Sequence, residues 1–140
     1  MLNRRTLLGM LVASAFGAVG LWSTATSAVE LVTAEQTEFD RQVFEAALAE
    51  GVPVLIDIHA SWCLTCAQQQ AVLDLLYTMR PEFRAIKIFS VDYDTQKDIM
   101  RTFGATSRAT LIAFKNGAET GRVVFDARPS VIQALLDSAI

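Results

Sequence analysis

The sequence predicts an α/β fold: one central mixed β-sheet with helices on both faces. Three observations predict it. β-branched apolar runs such as Val52 to Ala60 alternate with segments whose apolar residues recur at helical spacing. Strands that alternate with helices pair in parallel. An Asn116-Gly117 dipeptide between two late apolar runs marks a hairpin, which adds an antiparallel edge.

In chain order, Glu30 to Thr33 reads as a short first strand. Glu38 to Glu50 reads as a helix, with Phe39, Val43, Ala47 and Leu48 at helical spacing, Thr37 as its cap and Gly51 as its stop. Val52 to Ala60 suits a strand buried on both faces. Cys63 to Met79 has the spacing of a long helix through Ala67, Val72, Leu75, Leu76 and Met79, with Pro81 just past its end. Ala85 to Val91 is a further buried strand, and Thr95 to Phe103 a helix closed by Gly104. Thr110 to Phe114 is a strand, Lys115 to Ala118 a tight turn, and Val123 to Phe125 the strand that pairs back. Pro129 opens a last helix with Val131, Ile132, Leu135 and Leu136 on its apolar side. The order is βαβαβαββα, and 140 residues accommodate one such domain.

The N-terminus stands apart. Arg4 and Arg5 precede an apolar run from Leu7 to Trp22, no charge falls between Thr6 and Val29, and Thr26-Ser27-Ala28 offers small residues for cleavage. These are the three regions of an export signal, so residues 1–28 are expected to be a leader and 29–140 the domain. Asn3 to Leu8 partly resembles a twin-arginine signal, alongside ordinary secretion. Retained, the segment would be a membrane anchor. The location expected is outside the cytoplasm, in a bacterial periplasm. Two of the 12 basic residues and none of the 15 acids lie in the leader, which leaves residues 29–140 with a net charge of −5. That balance is not the basic footprint of a nucleic-acid binder.

Cys63 and Cys66 are the chain's two cysteines, and they lie where a strand hands over to a helix. Unpaired N–H groups at a helix N-terminus stabilise a thiolate and lower its pKa, which makes Cys63 a nucleophile. Cys66, three residues on, shares its helix face. Cys63 can attack a substrate disulfide and Cys66 can resolve the mixed disulfide. Two other readings stand beside this one. As a staple, so short a loop removes little chain entropy. As metal ligands, two cysteines and the single histidine, His59, fall short of the four of a structural zinc site.

LIDIHASWCLTC, followed by a helix and later by ATLIAFKNG, resembles the thioredoxin family across essentially the whole of residues 29–140. The Trp-Cys-Leu-Thr-Cys variant is similar to the C-terminal thioredoxin-like domains of bacterial thiol:disulfide interchange proteins. The resemblance implies a thioredoxin fold and an exposed nucleophile at Cys63 over a buried resolving thiol at Cys66. It implies no cofactor beyond that redox-active disulfide. Asp57 matches the family's buried carboxylate, which relays a proton to or from Cys66. Trp62 would shield the pair and help dock substrate. His59, on the same strand face as Asp57, would favour the Cys63 thiolate when protonated. Leu64 and Thr65 place no charge between the cysteines, which points to a reductant or electron relay. The implied partners are proteins with disulfides and a membrane-embedded thiol reductant. The alternatives are a disulfide-donating oxidase and a non-catalytic binding or metal-carrying module.

Two departures from the family pattern bear on docking. Ser107-Arg108-Ala109-Thr110 has alanine where the family carries a cis-proline. Because a non-proline cis bond costs about 2.5–4 kcal/mol, the Arg108–Ala109 bond is expected to be trans or the backbone strained. Losing that proline also raises the chance of zinc, or of an iron–sulfur cluster bridging two copies. Arg108 either favours a thiolate or faces water. Val123 to Asp126 lacks the glycine that the family often places near the end of its last strand, so a bulkier rim is expected.

Overall fold

The computed structural model describes residues 28–140; the expected leader over residues 1–28 lies, but for its last residue, outside the described residues. Nine elements follow one another: β1 (Gln36–Glu38), α1 (Arg41–Ala49), β2 (Val54–His59), α2 (Leu64–Met79), β3 (Lys87–Asp92), α3 (Lys97–Thr102), β4 (Thr110–Lys115), β5 (Ala118–Val124) and α4 (Pro129–Ala139). The strands form one sheet in the order β1-β3-β2-β4-β5. β1 and β2 run parallel to β3, and β4 and β5 are antiparallel additions.

Strand alternation sends side chains to two cores. Leu55 of β2, Ile88 of β3 and Leu111 of β4 meet α2 and α4 through Leu73, Leu76, Ile132 and Leu136. Ile56, Phe89 and Ile112 point the other way, to Phe44 of α1 and Met100 of α3. Phe39, Phe44, Phe89, Phe103 and Phe114 interlock there edge to face or tilted, with centroids between 5.4 and 6.1 Å apart. Each fully buried Leu, Ile or Phe contributes about 1.5–3 kcal/mol.

The structure corrects several expected elements. The first strand is Gln36–Glu38, not 30–33. The earlier segment instead runs along α2, where Val32 pairs with Thr78 and the Ala34 N–H donates to Asp74. The first helix begins three residues late. Asp40, not Thr37, caps it by accepting from the Val43 N–H, and Phe39 is buried ahead of it. On α2 the buried stripe is Cys66, Gln69, Leu73, Leu76 and Tyr77, while Ala67, Leu75 and Met79 are exposed. A 3-10 turn at Pro81–Ala85 buries Phe83 where nothing regular was expected. β5 is seven residues long, not the three of Val123–Phe125, because the hairpin pairs from its first residue. Asn116 and Gly117 make that turn at φ 50° and 79°, the left-handed angles a two-residue hairpin needs.

Candidate functional site

β2 delivers Asp57 and His59 to the α2 side of the sheet, and the loop after it carries Trp62 to the start of α2. Cys63 is the N-cap of α2, with an extended backbone, and its Sγ accepts from the Cys66 N–H at 3.2 Å. A free helix N–H thus points at the sulfur that would carry the thiolate. Cys63 and Cys66 form a disulfide with Cα atoms 5.3 Å apart. The expected contrast between an exposed Cys63 and a buried Cys66 is corrected. The two retain 6% and 7% exposure, because Ala60, Ala109 and Tyr93 pack around the closed pair.

Behind the disulfide a cleft of about 270 Å³ is lined by Gln36, Asp57, His59, Gln70 and both cysteines. Asp57 is 4% exposed. Its Oδ2 accepts from Gln36 Nε2 at 2.7 Å, and its Oδ1 has no partner. Burial pushes its carboxyl above the ordinary value of 3.8, while the nearby His59 and the Gln36 hydrogen bond pull it back down. A buried acid whose carboxyl is pushed upward by burial, opening on a cleft shared with Cys66, is suited to exchange a proton there. His59 lines the same cleft, as its place two residues from Asp57 predicts, and its Nδ1 is buried without a partner.

Gln36 and Gln70, which no sequence pattern singled out, support Asp57 from beside it. Gln36 Nε2 also donates to Gln70 Oε1, and Gln70 Nε2 reaches Asp74 and the Ala34 carbonyl. This ties the edge strand β1 and the chain before it to α2 and so holds Gln36 on Asp57.

On the other side of the pair lies the rim. Arg108 and Ala109 end the loop before β4, and Thr110 is the first residue of that strand. The Arg108–Ala109 peptide is trans, and Ala109 is buried at φ 53°, a left-handed angle that costs a non-glycine residue about 1–2 kcal/mol. The expectation of a trans or strained segment is met on both counts. Phe125 occupies the place where glycine was missed, at φ 52°. The Phe125 N–H donates to the Ala109 carbonyl at 2.9 Å, and Gln69 Nε2 donates to the same oxygen at 3.1 Å and to the Asp126 carbonyl at 3.0 Å. Gln69 is thus a fully buried polar brace between the two loops. Its signal was legible: a polar residue three beyond Cys66 on the buried face of α2. Thr110 is buried, and its hydroxyl donates to the Ser107 carbonyl at 2.8 Å.

Arg108 is half-buried and, among the described residues, pairs with no carboxylate. Its guanidinium lies 4.5 Å from the Trp62 ring and 5.1 Å from the Phe125 ring. Trp62, 57% exposed, stands edge-on to Tyr93 and donates its indole N–H to Asp94. Leu64 is 74% exposed beside the cysteines, and Thr65 is half-buried. Among the described residues no cluster of three or more His, Cys, Asp or Glu side chains could hold a metal ion. Among them, too, no helix is long and apolar enough to cross a membrane.

The chain matches the family described as Thioredoxin over residues 30–138. It is 29% identical over 102 residues to "Thioredoxin Asp f 29" of Aspergillus fumigatus, covering 72% of this chain and 91% of that protein. It is 32% identical over 93 residues to a thioredoxin of Echinococcus granulosus, covering 66% and 84%. Among solved structures, Trxlp from Edwardsiella tarda EIB202 superposes with a TM-score of 0.68 at 33% identity, over 73% of this chain and 98% of that one.

Proposed function

The chain belongs to the thioredoxin family, and we propose that it works outside the cytoplasm as a reductant or electron relay. It would pass electrons from a membrane-embedded thiol donor to disulfides of other exported proteins. The coarser activity needs no proposal: the chain is a thiol:disulfide oxidoreductase whose redox group is its own Cys63–Cys66 pair.

The observation that carries the direction is the setting of the Cys63 sulfur. One backbone N–H points at it, Leu64 and Thr65 add no charge, and the Arg108 cation is taken up by two rings. A thiolate stabilised no further than this leaves the disulfide the favoured state, which makes the dithiol a good electron donor. In the reduced protein the Cys63 thiolate attacks a substrate sulfur, and the other substrate sulfur leaves as a thiolate. Cys66 gives its proton to the Asp57 carboxylate and attacks the Cys63 sulfur. The Cys63–Cys66 disulfide forms, the second substrate thiolate departs, and two electrons have moved. The donor runs the same steps backwards.

Export is supported by the basic start and uncharged run of residues 1–28. Cell fractionation with N-terminal sequencing of the recovered protein tests it, the expected first residue being Val29. Equilibration of the Cys63–Cys66 pair against glutathione, read by alkylation and mass, tests the direction. A potential well below the glutathione couple supports the reductant. A potential well above it makes the protein a disulfide donor and overturns the reading. Stoichiometric metal that blocks oxidation replaces it with a binding module.

A further inference from the structure

The rim beside the disulfide carries one cation with nothing to neutralise it. Among the described residues Arg108 enters no ion pair. Asp126 pairs with Arg128, and Asp94 takes the Trp62 indole N–H. The Arg108 Nε is buried and has no acceptor. The guanidinium is held between the exposed rings of Trp62 and Phe125, and this fixes its plane before any partner arrives. Leu64, in the first turn of α2 beside Cys63, is exposed as well. An immobilised guanidinium loses little freedom when it binds, and its fork matches a carboxylate.

We propose that Trp62, Arg108 and Phe125 form a charge-selective docking surface for an extended peptide with an acidic side chain within two residues of its reactive cysteine. The peptide's carboxylate meets the Arg108 fork while its apolar neighbours cover the two rings and Leu64. This deepens the oxidoreductase reading and rests on it. The strained backbone at Ala109 and Phe125 has a role in this arrangement. It turns Arg108 and the Phe125 ring towards one another across the Phe125 N–H to Ala109 carbonyl bond.

The test uses the full chain carrying Cys66→Ser, so that attack by Cys63 stops at the mixed disulfide. The probes are short peptides whose cysteine is capped as the 2-pyridyl disulfide. The Cys63 thiolate bonds to the peptide sulfur and releases pyridine-2-thione, whose absorbance gives the rate. Glu, Gln or Lys is placed in turn at each of the two positions before and after the cysteine. At one of these positions the Glu peptide is expected to react about fivefold faster than the Lys peptide in low salt, the ratio falling towards one in 0.5 M salt. Arg108→Gln is expected to abolish the ratio and Arg108→Glu to invert it.

A ratio of one in low salt at every position, or an equal ratio after Arg108→Gln, overturns the proposal. The salt series needs no change at Arg108, so poor folding of a variant does not blunt the test. The result is also independent of electron direction. If every peptide fails to release the chromophore, the oxidoreductase reading itself falls. If the potential proves oxidising, the charge ratio still stands.

Discussion

The Phe125 N–H donates to the Ala109 carbonyl at 2.9 Å, joining two non-glycine residues that both hold left-handed backbone angles. One closes the loop before β4 and the other leaves the end of β5. Together they set the height of the rim beside the disulfide. Each angle is disfavoured for a residue with a Cβ, so the surrounding contacts must hold both. Gln69, donating to the Ala109 and Asp126 carbonyls, is the contact that does so from beneath.

Gln69→Leu therefore loosens both loops at once. The Ala109 carbonyl keeps its Phe125 donor, but the Asp126 carbonyl loses the one Gln69 supplied. The expected cost is about 1–2 kcal/mol in urea unfolding. KM for a protein substrate should rise while kcat towards a small disulfide changes little. Equal losses in both would show that Gln69 acts on the cysteines rather than on docking.

The two cysteines should separate cleanly by role. Cys63→Ser removes the attacking sulfur and should lower exchange about 10³-fold or more. Cys66→Ser should retain the first attack and accumulate a mixed disulfide, visible as an adduct in the mass of the intact protein. Adduct formation by Cys63→Ser instead would reverse the assignment.

Asp57 makes a prediction about stability as well as rate. Burial raises its value in the fold above the ordinary 3.8. The folded chain therefore binds more protons than the unfolded one between these two values. The stability contributed by this carboxyl is fully present below 3.8 and is lost as pH rises through the raised value. Asp57→Asn escapes that loss, so it should be more stable than the parent at pH 7 by about 1–2 kcal/mol, with the gap closing near pH 3. Its resolution step should slow by about 10²-fold. Urea midpoints across pH and single-turnover rates check the two halves separately.

Neighbours of Asp57 should move the same titration without abolishing it. His59 and Gln36 both pull the Asp57 value down against burial. His59→Gln and Gln36→Leu should each shift the acidic limb of the pH–rate profile to higher pH. A profile unmoved by either change would mean that the limb belongs to another group.

Much of this was written in the sequence. The alternation of apolar runs gave the sheet and its flanking helices, Asn116-Gly117 gave the hairpin, and Trp62 to Cys66 located the chemistry. What was not legible depends on tertiary contacts. Nothing local distinguishes residues 30–33 from a strand; they are drawn away because Thr78 and Asp74 on α2 offer hydrogen bonds. The inward face of α2 was misjudged because Gln69 and Tyr77 sit in the buried stripe, while Leu75 and Met79 lie outside it. The Gln69 amide nitrogen and the Tyr77 hydroxyl donate there to carbonyls of Ala109, Asp126 and Ile86, contributed by segments distant in sequence or by the 3-10 turn's exit. The stacking of Arg108 between Trp62 and Phe125 joins three points of the chain that no periodicity connects.

The chain before β1 is fastened to the far half of α2, Val32 meeting Thr78. Thr78 lies fifteen positions beyond Cys63 along α2, about 22 Å at the rise of an α-helix. Whatever holds this protein by its N-terminal side thus grips it at the opposite end from its reactive sulfur. A contact made there would leave the disulfide end of the domain uncovered.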